Sequence, residues 1–321
     1  MKRTKRITIH RRRWRQIDEI DRVKLAQQKI IENQTEIREM QDSVREVLRQ
    51  IQDLSLNEDF VNLTTRYINH EMLHNSRDWR AVEAMRRAKT YAEPFTSDRP
   101  LVTIIVPSSG DRDSLAALAL PSILNQTYPN LEIIVSLHSR QRGDSTLASR
   151  VASCLPTDSR VQILLPAVTT APRIGSAECA EWHNGGFEQR RHALSQARGA
   201  WFMFLDDDDS LMPTAVESLL KHAQTHHEEW VYGTINMYHR DGTHRVINEE
   251  FPPRLSFNSI NGAIYHHGLS PFWDDTGNQV LDLPGDAYRL LRMANAGTLI
   301  GHIPTHVQDY FPSHEWDASA D

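Results

Sequence analysis

An α/β domain built on a mostly parallel sheet is the fold class this sequence predicts, and three observations carry it. The run Ala200 to Leu205 is apolar throughout and ends without a spacer in Asp206, Asp207, Asp208 and Asp209. So short a run, bounded by Gly199 and by charge, reads as a strand buried on both faces. Similar runs at Leu101–Val106, Leu131–Ser136 and Val161–Leu165 alternate with segments of helical periodicity, the order of βαβ units with right-handed crossovers. The acidic tip of Ala200–Leu205 then falls at the carboxyl edge of the sheet, where open α/β sheets bind ligands, and adjacent carboxylates there call for a hard divalent cation.

Composition sets the limits. The 321 residues are 39% hydrophobic and 24% charged, ordinary for a soluble globular chain with one large domain and an appendage. No run approaches a membrane-spanning length and the N-terminus lacks an apolar signal region, so an intracellular, cytoplasmic location is expected. The two cysteines, Cys154 and Cys179, show neither disulfide nor zinc spacing and receive no function. Eight of the 36 Lys and Arg residues lie in residues 1–15 without an acid, which leaves 28 against 42 acidic residues, a net charge of −14, in the rest. An acidic body argues against nucleic acid as partner, whereas the basic arm suits an anionic membrane surface at the cytoplasmic face.

In chain order, the arm 1–15 is followed at 16–56 by heptads. Val23, Ile30, Ile37, Val44 and Ile51 stand seven apart, with Ala26, Asn33, Met40, Val47 and Leu54 three residues after each. This pattern predicts a parallel homodimeric coiled coil, against the alternative of one amphipathic helix folded back on the large domain. Residues 57–98 read as a helical connector. The string His70-Glu-Met-Leu-His74 matches a zinc-protease pattern but stands outside the large domain without a third ligand, and is read as a chance match. The large domain is placed at 99–316, with a tail at 317–321. Within it, Pro121 starts or kinks a helix, and Phe187 to Ala197 is a helix with Gly199 as its left-handed C′ residue. Pro213 opens a helix whose inward face is Val216, Leu219, Leu220 and Ala223. Asp241-Gly242 signals a type I′ hairpin between Trp230–Tyr238 and Thr243–Ile247. Leu283 to Gly297 is a helix with Ala287, Leu290, Leu291 and Ala294 inward, leading into strand Thr298–Ile303.

Several of these stretches, in order and at matching spacing, resemble the family 2 glycosyltransferases of the GT-A fold (nucleotide-diphospho-sugar transferases). They are PLVTIIVP at 100–107, LPSILNQTYPNLEIIV at 120–135 and ARGAWFMFLDDDDSLMP at 197–213, and the resemblance covers about Asp98 to His314. It implies an inverting transfer of a sugar from a nucleoside-diphosphate sugar to an acceptor hydroxyl of a glycan or lipid-linked glycan. The metal site, for Mn²⁺ or Mg²⁺, would fall on Asp206 and Asp208, with His314 as a further ligand and Asp207 and Asp209 either supporting it or capping the next helix. The catalytic base would be Asp286, with Asp282 as fallback; as a residue just before a helix Asp286 also reads as an N-cap. The nucleotide pocket would take Pro107, Ser108, Ser109, Asp111, Arg112, His138, Arg190 and the acidic tip. Two departures stand out: the acidic tip of the family's second strand is Ser136-Leu137-His138 here, and the Asn expected after the basic residue of the helix before the acidic run is Arg191. These leave the nucleotide base open. A nucleotidyltransferase, or a catalytically decayed domain on a coiled-coil scaffold, stands as the alternative.

Overall fold

The computed structural model describes residues 77–110, 113–137, 146–165, 186–239, 241–253, 258–274 and 285–311. The chain divides into two compact units, Met1–Glu71 and Met72–Asp321, and all described residues belong to the second. The basic arm, the coiled coil, the His70–His74 string and the tail lie outside the described residues.

Among these residues nine strands form one mixed sheet in the order β3-β2-β1-β4-β8-β6-β9-β5, with β7 beside β6. Its parallel half is β1 (Val102–Ser108), β2 (Leu131–Leu137), β3 (Val161–Leu164) and β4 (Trp201–Phe204). All of β1, β2 and β4 is buried, which is why these strands are nearly continuous Val, Ile, Leu and aromatic runs. Each fully buried large side chain of β4 contributes about 1.5–3 kcal/mol, and Trp201, Phe202 and Phe204 are among the largest such side chains. The second half is β6 (Trp230–Tyr238), β7 (His244–Ile247), β8 (Ala263–His266) and β9 (Ile300–Tyr310), with β5 (Ser210–Leu211) on the edge of β9. β8 runs antiparallel to both β4 and β6, so it joins the halves.

The first helix, α1, runs to residue 87 and is described from 77; α2 is Glu93–Thr96. Val82 and Met85 of α1 are buried in the same cluster as Phe202, Tyr265, Leu290 and Met293, so this part of the sequence-defined connector packs into the catalytic unit. Pro121 falls in the first turn of α3 (Leu120–Leu124), directly after a π-helical turn over Leu115–Ala119. Proline is tolerated there because the π-helical turn before it, with Leu120 N–H donating to Leu115 O, already departs from the i→i−4 pattern that the missing N–H would interrupt. α4 is Leu147–Cys154, α5 is Phe187–Gln196, α6 is Ala215–His226 and α7 is Gly285–Asn295. The expected apolar face of α6 is buried as read.

Four local readings change. α5 ends at Gln196 with Ala197 extended, so Gly199 is not its left-handed C′ residue. Gly199 is required by proximity instead: a Cβ there would stand 2.5 Å from Thr103 Oγ1 and 2.6 Å from Thr103 N of β1. The β6–β7 connection is not a two-residue type I′ loop at Asp241-Gly242: His239 N donates to Thr243 O at 2.8 Å and Gly242 N, at φ 84°, donates back to His239 O at 3.0 Å, with Thr243 N donating to Asp241 Oδ1 at 2.9 Å in an Asx turn. On α7 the buried face is Tyr288, Arg289, Arg292 and Met293 together with Ala287 and Leu290, whereas Leu291 and Ala294 are only half-buried. The last strand runs to Tyr310, seven residues beyond the expected Ile303, because β9 continues alongside β6 through a register irregularity at Gly233–Ile235.

Candidate active site

Just past the carboxyl end of β4 the chain turns rather than staying extended: the Asp209 N–H donates to Asp206 O at 3.1 Å, with Asp207 and Asp208 at the corner. Asp206 and Asp208 are half-buried, while Asp207 and Asp209 are buried. The two inward carboxylates have structural partners. Ser108 Oγ, at the end of β1, donates to Asp207 Oδ2 at 2.6 Å. Asp209 accepts from Gln308 Nε2 at 2.9 Å and from the Phe311 N–H at 3.0 Å, so it fastens the end of β9 to the acidic turn. Burial, reinforced by the charge of Asp206, holds the Asp209 carboxyl well above the usual carboxylate range. Neither residue caps α6, whose N-cap Thr214 makes no side-chain capping bond.

The outward carboxylates face the site. Asp206 Oδ1 accepts from Arg190 Nη2 at 2.5 Å, and its Oδ2 accepts from Asn261 Nδ2 at 3.0 Å. Arg190 is carried by α5, whose N-cap Gly186 has φ 71° and lies against both the Arg190 guanidinium and Pro107, as a Cβ there would meet them at 2.9 Å and 3.1 Å. A polar chain continues from Asn261: its N–H donates to Ser259 Oγ at 3.1 Å, and Ser259 Oγ donates to Asp286 Oδ2 at 3.2 Å. The Ile260 N–H reaches the same oxygen at 3.4 Å. Asp286 therefore lies in the first turn of α7 and receives its hydrogen bonds from the 258–261 segment. The half-buried Tyr310 faces all of them: burial first, then Asp206, Asp209, Asp208 and Asp286, push its hydroxyl up.

Behind Asp286 stands Arg289, 4% exposed, its Nη1 donating to Gly285 O at 2.7 Å and its guanidinium 4.8 Å from the Phe187 ring centroid. Burial brings this guanidinium down to about 10, with Asp286 opposing. Its Nε and Nη2 have no hydrogen-bond partner.

Thus Pro107, Ser108, Arg190, Asp206, Asp207 and Asp286 are joined around one carboxyl edge by the contacts above, and Asp208 lies on the same turn. Ser109 follows Ser108 directly at the end of β1 and is half-buried. Asp111, Arg112, His138, Asp282 and His314 lie outside the described residues. Among the described residues no group of three His, Cys, Asp or Glu side chains is arranged to hold a metal ion, and no helix is long and apolar enough to cross a membrane. Sequence reasoning missed Asn261, Ser259 and Arg289. The first two sit in the run Asn258-Ser-Ile-Asn-Gly262, whose only sequence signal is that of a turn.

Comparison with known proteins follows the same lines. A segment of 124 residues is 32% identical to a Campylobacter jejuni protein, GalNAc(5)-diNAcBac-PP-undecaprenol beta-1,3-glucosyltransferase; it is 39% of this chain and spans about a third (35%) of that relative. Among solved structures, Staphylococcus aureus TarS (residues 1–349) in complex with UDP is similar at TM-score 0.46 and 16% identity, covering 66% of this chain and 60% of that one. The same protein with UDP-GlcNAc gives TM-score 0.47 and 15% identity, with coverages of 68% and 61%. Residues 103–277, more than half of the chain, match the profile of Glycosyl transferase family 2. With its mixed sheet and the acidic turn at the end of β4, the chain has the GT-A fold and belongs to glycosyl transferase family 2.

Proposed function

We propose that this protein moves a sugar from a nucleoside-diphosphate donor to an acceptor hydroxyl by a single inverting displacement, with Asp286 as the base. The observation that carries the reading is the polar path Arg190–Asp206–Asn261–Ser259–Asp286, which links the acidic turn to Asp286 and supports their acting in one site. Ser259 and Ile260 hold Asp286 Oδ2 and orient the carboxylate, and Oδ1 takes the proton of the acceptor hydroxyl as its oxygen bonds to the anomeric carbon. The bond from that carbon to the diphosphate breaks on the opposite face, and the diphosphate leaves with the electron pair.

A divalent cation fits the donor set. Mg²⁺ and Mn²⁺ sites in such enzymes rest on one or two carboxylates completed by substrate phosphates and water, so no three-residue protein cage is needed. Asp206 and Asp208 are the proposed carboxylate ligands, since each Asp206 oxygen that accepts one hydrogen bond, from Arg190 or Asn261, keeps a further lone pair; His314 is the proposed further ligand. When bound, the cation neutralises charge developing on the leaving diphosphate. Ser109, Asp111, Arg112 and His138 complete the nucleotide pocket in this reading, and the acceptor is a glycan, including the PP-undecaprenol-linked class in the name of the Campylobacter relative. The coiled coil would pair two chains, and the basic arm would bring them to the cytoplasmic face of an anionic membrane.

A thermal-shift panel of UDP-, GDP-, CDP- and dTDP-sugars with and without Mn²⁺ tests this. One nucleotide should stabilise the protein only with metal, by mass action. Asp208→Asn should lose that stabilisation, and Asp286→Asn should keep it but lose transfer. Stabilisation by no nucleotide sinks the donor class; full turnover by Asp286→Asn sinks the base.

A further inference from the structure

The ion pair with both side chains most deeply buried among the described residues has no part in the chemistry above. Arg292 of α7 donates from Nε to Asp78 Oδ2 at 2.7 Å and from Nη2 to Asp78 Oδ1 at 2.6 Å, a parallel two-point pair with both side chains 4% exposed. Nη1 of the same guanidinium donates to Phe272 O at 3.2 Å, and the group stands 5.3 Å from the Tyr288 ring and 5.2 Å from that of Phe272. Its partner is 214 residues away in sequence, on α1.

A second two-point pair repeats the arrangement. Arg86 donates to both oxygens of the fully buried Glu229, at 2.6 Å and 2.8 Å, and from Nη2 to Gly297 O just beyond α7 at 2.8 Å. Tyr91 OH and Leu299 N also donate to Glu229. Between the two pairs, Val82 and Met85 share a core cluster with Leu290 and Met293. α1 therefore grips α7 by its last turn and just past its end, while the first turn of α7 presents Asp286. That carboxylate has only long bonds of its own, 3.2 Å and 3.4 Å. Its place depends on the rotation and axial position of the helix. Asp78 and Arg292 both lie outside the residues matched to the family, 103–277.

We infer that Asp78 is a positioning residue for Asp286: the segment before the family-matched region completes the catalytic unit by fixing α7, an inference that rests on Asp286 being the base. A helix freed to shift by about 1 Å moves the base off the acceptor hydroxyl, a displacement that can cost on the order of 10²-fold in rate. Neither ion pair reaches β1, β4 or α5; these elements share only the apolar core around Val82 and Met85, through Ile105, Phe202, Phe204 and Leu194, so the nucleotide half keeps its own polar contacts when the pair to Arg292 is removed.

The test uses the full-length chain and the nucleotide sugar selected by the thermal-shift panel, with release of nucleoside diphosphate to water as the readout, per active site titrated. Asp78→Asn leaves a buried guanidinium half-paired and can fail to fold. The paired variant Asp78→Leu with Arg292→Met replaces the ion pair by apolar packing, a change that buried ion pairs often tolerate in stability. The expected result is a kcat lower by about 10²-fold with unchanged donor KM, and faster hydrogen exchange over 285–295 but not over 131–137. A folded paired variant with wild-type kcat and wild-type exchange overturns the inference. Asp286→Asn run alongside separates the two claims. If it is inactive while the paired variant is normal, the anchor fails alone. If it turns over normally, the base assignment fails, and the exchange data still decide whether Asp78 holds α7.

Discussion

Replacing Asp209 separates the structural half of the acidic turn from its functional half. In Asp209→Ala, the Gln308 amide, fully buried, and the Phe311 N–H both lose their acceptor. Each unmet buried donor costs about 1–3 kcal/mol, partly offset because a carboxyl that burial disfavours has been removed. The net expectation is a loss of about 2–4 kcal/mol, or a Tm lower by about 5–12 °C for a unit of some 250 residues. Asp209→Asn should cost under about 1 kcal/mol, for a specific reason. Its Oδ1 still accepts from Phe311 N–H, and Gln308 Oε1, which has no partner, can turn to accept from the new Nδ2. Urea unfolding at constant m-value and a thermal scan measure both, and the metal-dependent nucleotide shift is read on the Asn variant. Equal stability of the Ala and Asn variants would refute the latch. A stable Asn variant that no longer binds metal and nucleotide would show that the inward position of Asp209 had been misjudged.

Two further outcomes are expected. Burial lowers the pKa of His266 and of His267 below the ordinary imidazole value. Both are then neutral in the fold and take up protons on unfolding, so they add stability above about pH 6.5 that is lost as pH falls through their folded values. The urea midpoint should drop between pH 7.5 and 5.5 and the drop should shrink in His266→Gln; a flat profile would contradict the burial argument. Light scattering of the full-length chain should give a dimer that becomes monomeric on deleting residues 1–56, since a five-heptad seam of β-branched residues needs a second helix; a monomer in both cases would remove the coiled coil.

The strands were legible because burial on both faces is written into composition: a strand such as Ile104–Val106 has no side that water selects. The acidic run was legible as charge that follows a buried apolar strand without a spacer, but the turn over 206–209, closed by Asp209 N–H to Asp206 O, was not, and in that turn Asp206 and Asp208 are half-buried while Asp207 and Asp209 are buried. What each inward carboxylate would bind was not, since Ser108 lies about a hundred residues before Asp207, and Gln308 and Phe311 about a hundred after Asp209. Gly199 drew attention as a helix terminator, but its reason is the approach of β1, a contact that no local pattern encodes. α7 misled by its arginines. Periodicity counts Arg289 and Arg292 as solvent-facing, yet the buried carboxylate of Asp78 and the rings of Phe187, Phe272 and Tyr288 make an interior place for two guanidinium groups.

The charges around the site are layered, and the layering bears on how a diphosphate could enter. The negative groups Asp206, Asp208 and Asp286 act together on Tyr310, while the positive ones, Arg190, Arg289 and Arg292, lie deeper and act on one another. Arg190 is committed to Asp206, Arg292 to Asp78, and Arg289 is shut away behind Asp286 with donors unmet. None of these three cations faces outward to meet an anionic ligand. Among the described residues, a dianionic group approaching Asp206, Asp208 and Asp286 meets carboxylates, at separations where unit charges still repel by about 1–4 kcal/mol. In the proposed reading a divalent cation at Asp206 and Asp208 would offset that repulsion, while Arg190 is bonded to Asp206 and Arg292 to Asp78 on α1.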